Sequence, residues 1–307
     1  MLYRQLGRTG MTVSEIGFGC ASWWGMSAFS EVEAHRLVHA ALDHGVTLFD
    51  TAPGYSRGEA EPRLGRALAG RNLDGLVIAT KVGTRFEAGG MVRDMTLPAI
   101  TASLERSLTR LGLETFPLVQ LHGPGLGELT EEFADGLRSL KTRGLVRALG
   151  VNSFDAAVID RAVALPVFDV VMVDYNVLRP DRAALIARAA AVGKGVLAGM
   201  PLAMGHTQLQ ALKLRRPRDV WYALRALKNH RADVVRGARL GFLNHLPEMT
   251  GAQAALAYVL GDANVSSAVT GTTRMAHLLD NLGASGRGLP ADIRARIEAA
   301  SLPRPAD

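Results

Sequence analysis

An acid, a phenol, an ammonium and an imidazole fall at or just beyond the ends of three apolar runs that follow one another in the chain. Asp50 closes the first run and is followed, across Thr51, Ala52, Pro53 and Gly54, by Tyr55; Lys81 closes the second and His122 the third. A free phenol ionises near pH ~10, too high for efficient proton exchange at neutral pH. A cation beside it favours the phenolate, and a carboxylate holds such a cation in place. A neutral imidazole alongside can donate to a carbonyl oxygen and orient it. Together these groups can protonate an alkoxide as hydride arrives, or take the proton of an alcohol in the reverse direction. None of them supplies a hydride, so a cofactor must.

Each residue taken singly has a plainer role: a strand-end Asp caps a loop, a Tyr beside Pro-Gly packs in a turn, a Lys faces solvent, and a His bonds the backbone. Their convergence at successive strand ends is what argues for chemistry. A strand-end lysine also serves as a Schiff-base nucleophile elsewhere, so a barrel lyase using Lys81 is an alternative. The neighbouring Asp50 counts against it, because a carboxylate stabilises the ammonium over the neutral amine that a Schiff base needs.

The elements that must position these residues alternate regularly. Apolar runs at 15–19, 46–50, 76–81, 117–122, 146–151, 167–175, 195–202 and 265–271 read as strands. Amphipathic stretches lie between them, one with Ile100, Leu104, Leu108 and Leu111 at helical spacing, another with Leu185, Ile186 and Ala189. Strands alternating with helices imply βαβ units and a parallel sheet, and eight of them predict a closed (β/α)8 TIM barrel, an α/β fold, over 1–307 as a single domain. In such barrels sites gather where strands end, which is where the four residues fall. Two segments stand outside the plan. Residues 2–13 carry a Gly-Arg-Thr-Gly turn and predict a hairpin capping one barrel end. Residues 205–250 form a long loop after strand seven, an excursion of a length that usually has a function of its own.

Composition narrows the partners. The 307 residues are 48% hydrophobic with a single cysteine, Cys20, which suits a reducing compartment and a cytoplasmic location. The N-terminus shows no apolar leader, and no stretch approaches the roughly 18 apolar residues of a membrane span, so no membrane partner is expected. The net charge of +6 invites a nucleic-acid reading. Much of it lies in 213–239, at Lys213, Arg215, Arg216, Arg218, Arg225, Lys228, Arg231 and Arg236, with no zinc pattern or RNA-binding aromatic motif. Solvated helix faces, or a loop folded over an anionic small molecule, account for it; neither nucleic acid nor metal is called for. Oligomeric state leaves no signal in the sequence.

The run DTAPGYSRGEAEPRLGRAL at 50–68, with ATKVG, LHGP, GVNSF and GTTRMAHLLDNL in that order, resembles the aldo-keto reductases. The similarity extends over nearly the whole chain, and PLAMG at 201–205 is closest in flavour to the galactose-dehydrogenase-like branch. The resemblance implies an NAD(P)-dependent oxidoreductase of aldehydes and ketones, or of the corresponding alcohols and lactols. It implies Tyr55 as general acid/base, Lys81 tuning it, Asp50 pairing with Lys81, and His122 orienting the carbonyl. For the cofactor it implies Cys20, Asp50, Asn152, Pro201, Leu202, Gly205, Gly271, Thr272, Thr273, Arg274, His277 and Asn281.

The family's Ser-Asn pair appears here as Asn152-Ser153, a common Gln is replaced by Met172, and a common stacking aromatic by Gly199. NADP(H) is favoured, with Arg274 available to a 2′-phosphate, and NAD(H) is the alternative. Trp23, Trp24, Phe29, Phe86 and His122 are candidate walls of the substrate pocket. Part of 205–250 is expected to close over the cofactor before substrate binds. A catalytically weak, nucleotide-binding regulatory relative is a further alternative.

Overall fold

A computed structural model describes residues 1–203 and 236–301. Eight parallel strands close into a barrel: β3 (Ile16–Gly19), β4 (Leu48–Asp50), β5 (Val77–Val82), β8 (Phe116–His122), β9 (Val146–Asn152), β10 (Val170–Asp174), β11 (Gly195–Gly199) and β12 (Ser267–Thr270). Helices α1 (Glu31–Asp43), α2 (Ala60–Leu68), α3 (Leu97–Leu111), α4 (Glu131–Thr142), α5 (Ala156–Ala164), α6 (Ala183–Ala191), α7 (Gly251–Leu260), α8 (Met275–Leu282) and α9 (Ala291–Ser301) follow or join them. The (β/α)8 barrel read from the alternating runs is the observed fold.

Local chemistry explains where several helices begin. Ser30, Thr130 and Asp155 each accept a hydrogen bond from a first-turn amide of α1, α4 and α5. Thr250 and Gln253 form a reciprocal box at the start of α7. Strand bounds are tighter than the apolar runs. Val167 and Phe168 belong to a buried turn ahead of β10, Phe168 donating its N–H to the Leu165 carbonyl. Beyond β11, Met200 takes a left-handed φ of 50° and Pro201 follows, which ends the strand.

Residues 2–13 do form a hairpin, β1 (Tyr3–Gln5) against β2 (Thr12–Ser14). It seals the N-terminal end of the barrel: Arg8 donates its N–H to the Gly193 carbonyl, and a Cβ on Gly7 would lie 2.2 Å from the Gly195 nitrogen. A second hairpin, β6 (Thr84–Glu87) with β7 (Gly90–Arg93), rises from the opposite end directly after β5. It was not anticipated, because its strands are short and polar. Of the basic segment, only Arg236 and the residues after it are described; Gly205, Lys213, Arg215, Arg216, Arg218, Arg225, Lys228 and Arg231 lie outside the described residues.

Two cores result. Leu48, Val77, Ala79, Leu118, Ala148, Val170, Met172 and Leu197 fill the barrel interior, with Leu6, Met11 and Val13 of the hairpin closing its base. A larger cluster, including Phe18, Phe49, Ile78, Val119 and Leu149, packs the outside of the barrel against the helices. Each large side chain so buried contributes on the order of 1.5–3 kcal/mol. Among the described residues no helix is long and apolar enough to cross a membrane.

Candidate active site

Strand alternation delivers the site. In β4, Leu48 belongs to the interior core and Phe49 to the outer one, so Asp50 points inward. The same count from Ala79 brings Lys81 inward, from Leu118 brings Gln120 and then His122, and from Ala148 brings Asn152 after Gly150. Register sets the heights: Asp50 pairs with Ala79, Lys81 with Gln120, and His122 with Asn152. The apolar plug thus ends in a layer of polar side chains at the C-terminal mouth.

Lys81 is at the centre of that layer, with a side chain 1% exposed. Its Nζ lies 2.5 Å from Asp50 Oδ2 and 3.0 Å from the Thr51 carbonyl oxygen. Gln120 Nε2 donates to the other Asp50 oxygen at 3.1 Å, and Gly150 opposite leaves room for the Gln120 stem. The ammonium also stands 4.8 Å from the centroid of the Tyr55 ring, and that ring meets the His122 ring edge-on at 5.6 Å. Burial works against the charge on Lys81, but Asp50 and Tyr55 outweigh it and hold its pKa above the ordinary lysine value. Burial pushes the Asp50 carboxyl up against the pull of Lys81 and Gln120; the 2.5 Å contact makes it the anionic partner of the ammonium. Burial, then the charge of Lys81, push His122 down to about 4, so the imidazole is neutral at physiological pH.

Tyr55 reaches this layer through a strained turn. Ser56 and Arg57 have φ of 55° and 59°, the left-handed region that side chains other than glycine rarely adopt. Gly25 accommodates the turn, since a Cβ there would sit 2.4 Å from Ser56 Oγ. On the far side, Thr84 Oγ1 lies 2.5 Å from His122 Nδ1. Neither Thr84 nor Gln120 carried a motif signal in the sequence. The alternation through Leu118 could have found Gln120, whereas Thr84 needs the unforeseen hairpin.

The remaining sequence-predicted residues divide. Asn152 ends β9 and is buried, and the Ser153 N–H beside it donates to the Met172 carbonyl. Gly271, Thr272, Thr273, Arg274 and His277 form an accessible rim at the start of α8, where Thr272 Oγ1 accepts the Arg274 N–H. Asn281 is buried within α8, and Asp280 accepts from Thr250 Oγ1. Pro201 is buried and Leu202 partly so, in a turn closed by an Ala203 N–H to Met200 carbonyl bond. Cys20 is wholly buried behind Asp50, its backbone N–H donating to the Asp50 carbonyl and its thiol pushed well up by burial. Trp23 is exposed and Phe86 partly exposed on the hairpin. Trp24 packs edge-on against Phe18 in the outer core and is 1% exposed.

Three adjacent strands of the barrel, β11, β12 and β3, end in or just before glycine: Gly199, Gly271 and Gly19. A Cβ on Gly271 would come 2.8 Å from the Gly19 carbonyl oxygen. Gly19 pairs in register with Asp50, so these bare strand ends adjoin the polar layer. Just beyond Gly271, the start of α8 presents amide groups and the positive helix end, which suit an anion.

The sequence profile of the aldo/keto reductase family matches residues 15–301. The chain belongs to that family. It is 28% identical to a D-threo-aldose 1-dehydrogenase of a Pseudomonas species, over 96% of this chain and 97% of the relative. It is 27% identical to an uncharacterized oxidoreductase of Bacillus subtilis, over 93% and 91%. The holo form of an aldo-keto reductase from Bacillus halodurans superposes with a TM-score of 0.79 at 27% identity, covering 98% of this chain and 96% of that one. The chain is therefore an oxidoreductase of the nicotinamide-dependent, carbonyl-directed kind, with relatives of the galactose-dehydrogenase-like flavour.

Proposed function

We propose that this aldo-keto reductase interconverts an aldehyde or ketone with its alcohol, or a lactol with its lactone, using Tyr55 as general acid/base. The observation that carries the reading is the buried cluster itself: an ammonium 2.5 Å from a carboxylate and 4.8 Å from a phenol ring, with a neutral imidazole against that ring. The Lys81 charge stabilises the phenolate that remains once Tyr55 has given its proton to the substrate oxygen. Asp50 fixes the ammonium, and Gln120 fixes Asp50. His122, neutral, orients the oxygen without competing for its proton. A bound nicotinamide supplies or accepts the hydride.

Asn152 would hold the carboxamide end, Gly199 and Gly271 the approach of the dinucleotide backbone, and Pro201, Leu202, Thr272 and Thr273 its phosphates. Arg274, exposed at the start of α8, favours NADP(H) over NAD(H) through a 2′-phosphate. Trp23 and Phe86 would flank the substrate. The expected location is the cytoplasm, and the expected partners are small molecules rather than nucleic acid.

The Schiff-base lyase is disfavoured: an amine paired at 2.5 Å with a buried carboxylate, its pKa raised, is held as ammonium and is not a nucleophile. Titration of NADPH and NADH by fluorescence, followed by a carbonyl screen with the tighter one, tests the reading. Binding with turnover of at least one carbonyl or lactol is expected. Saturable binding of neither nucleotide would refute it.

A further inference from the structure

Thr84 takes no part in the proton transfer described above, yet its hydroxyl is 2.5 Å from His122 Nδ1. A neutral imidazole carries one N–H and one lone pair, and the group met by one nitrogen decides where the proton sits on the other. Among the described residues, Nδ1 is the only side-chain partner of the Thr84 hydroxyl, and Nε2 has none. If the hydroxyl donates, its proton is satisfied and the ring proton must lie on Nε2. If Nδ1–H donated instead, the hydroxyl proton would have no acceptor among the described residues, in a partly buried position. The charged ring is closed off as well, by burial and by the ammonium of Lys81.

The backbone fixes this contact from two sides. Gly83 turns the chain out of β5 with φ of 92°, in a space where a Cβ would lie 2.2 Å from Met95 Sδ, and Thr84 follows at once. Across the hairpin Thr84 pairs with Arg93. Arg93 in turn holds the Glu128 carboxylate, with Nη1 to Oε1 at 2.9 Å, and donates to the carbonyl of Gly123, the residue after His122, at 3.4 Å. The hairpin is thus clipped to the same segment that carries the imidazole.

We propose that Thr84 is a positioning residue that locks His122 in the Nε2–H tautomer, so that the ring offers a substrate oxygen a donor and never an acceptor. The use of that donor rests on the carbonyl-oxidoreductase reading; the tautomer itself does not. Nitrogen-15 NMR of histidine-labelled full-length protein at neutral pH, with His122 assigned by its loss in His122→Asn, reads the tautomer directly. The expected spectrum shows Nε2 protonated and Nδ1 as the hydrogen-bonded acceptor.

In Thr84→Val, close in shape but without the hydroxyl, the two tautomers mix and kcat on a working carbonyl substrate falls about tenfold, the scale of one lost hydrogen bond. KM moves less, and Thr84→Ser restores both readouts. Thr84→Ala serves if the Val variant folds poorly. An Nδ1–H tautomer in the wild type, or wild-type kcat in both hydroxyl-free variants, would overturn the proposal. A wild type that shows the Nε2–H tautomer but reduces no carbonyl would sink the functional reading and leave the tautomer assignment standing.

Discussion

Removing either partner of the Asp50–Lys81 pair should cost more than removing both. The two side chains are 6% and 1% exposed, so each single substitution strands a charge away from water. Breaking a buried pair by deleting one member typically destabilises by about 3–5 kcal/mol. Among the described residues, Lys81→Met leaves an unpaired carboxylate with Gln120 Nε2 as side-chain donor, and Asp50→Asn leaves an ammonium with the Thr51 carbonyl, the Tyr55 phenol and a neutral amide. The double variant carries no stranded charge, so its cost should be no greater than that of either single. The coupling between the sites is then roughly 3 kcal/mol or more.

Urea unfolding at neutral pH with linear extrapolation measures all four corners of the cycle. For a chain of this size each kcal/mol moves Tm by about 2 °C, so the singles should melt roughly 6–10 °C early. The sign of the pH dependence follows from the raised Lys81 pKa: its contribution is complete below the ordinary lysine value of 10.5 and is lost as pH climbs through the folded value. The gap between wild type and Lys81→Met should therefore narrow at strongly alkaline pH. Destabilisations that simply add, within about 0.5 kcal/mol, would refute the buried ion pair.

Three further outcomes are expected. His122, depressed from 6.5 to about 4, binds its proton more weakly in the folded state, so stability should rise with pH between those values by up to about 3 kcal/mol; His122→Asn should flatten that slope in urea melts taken across the range. Gly7→Ala combines a φ of 56° with a Cβ 2.2 Å from the Gly195 nitrogen, and should cost several kcal/mol in thermal melts, about 2–4 by the usual range for strain and overpacking. Because Gly7 is at the opposite end of the barrel, activity per folded molecule should survive. Arg274→Ala should weaken NADPH about tenfold in fluorescence titrations and leave NADH nearly unchanged, the loss of one charge-assisted contact.

The barrel was legible because its signal repeats: eight largely buried apolar runs alternate with helical stretches. The positions of Asp50, Lys81 and His122 were legible for the same reason, each closing such a run. Tyr55 was visible by chain proximity, while the turn that aims it depends on left-handed Ser56 and Arg57, which no side-chain preference announces. Thr84 stayed hidden because a four-residue polar strand has almost no periodicity to read. The inward packing of Trp24 on Phe18 was hidden too, since an aromatic in a loop does not say which apolar face will take it. The burial of Cys20 behind a strand end and of Asn281 within a helix is likewise set by packing that a one-dimensional pattern does not encode.

Single-turnover reduction of a carbonyl by enzyme preloaded with reduced nicotinamide, comparing wild type with Tyr55→Phe, tests the proton-transfer assignment most directly. The variant keeps the ring that Lys81 and His122 pack against and loses only the proton to be transferred. It should bind the cofactor as tightly as wild type while its hydride-transfer step slows by about 10²–10⁴-fold, the range of general acid–base catalysis. Undiminished single-turnover rates in Tyr55→Phe would show that the proton comes from elsewhere.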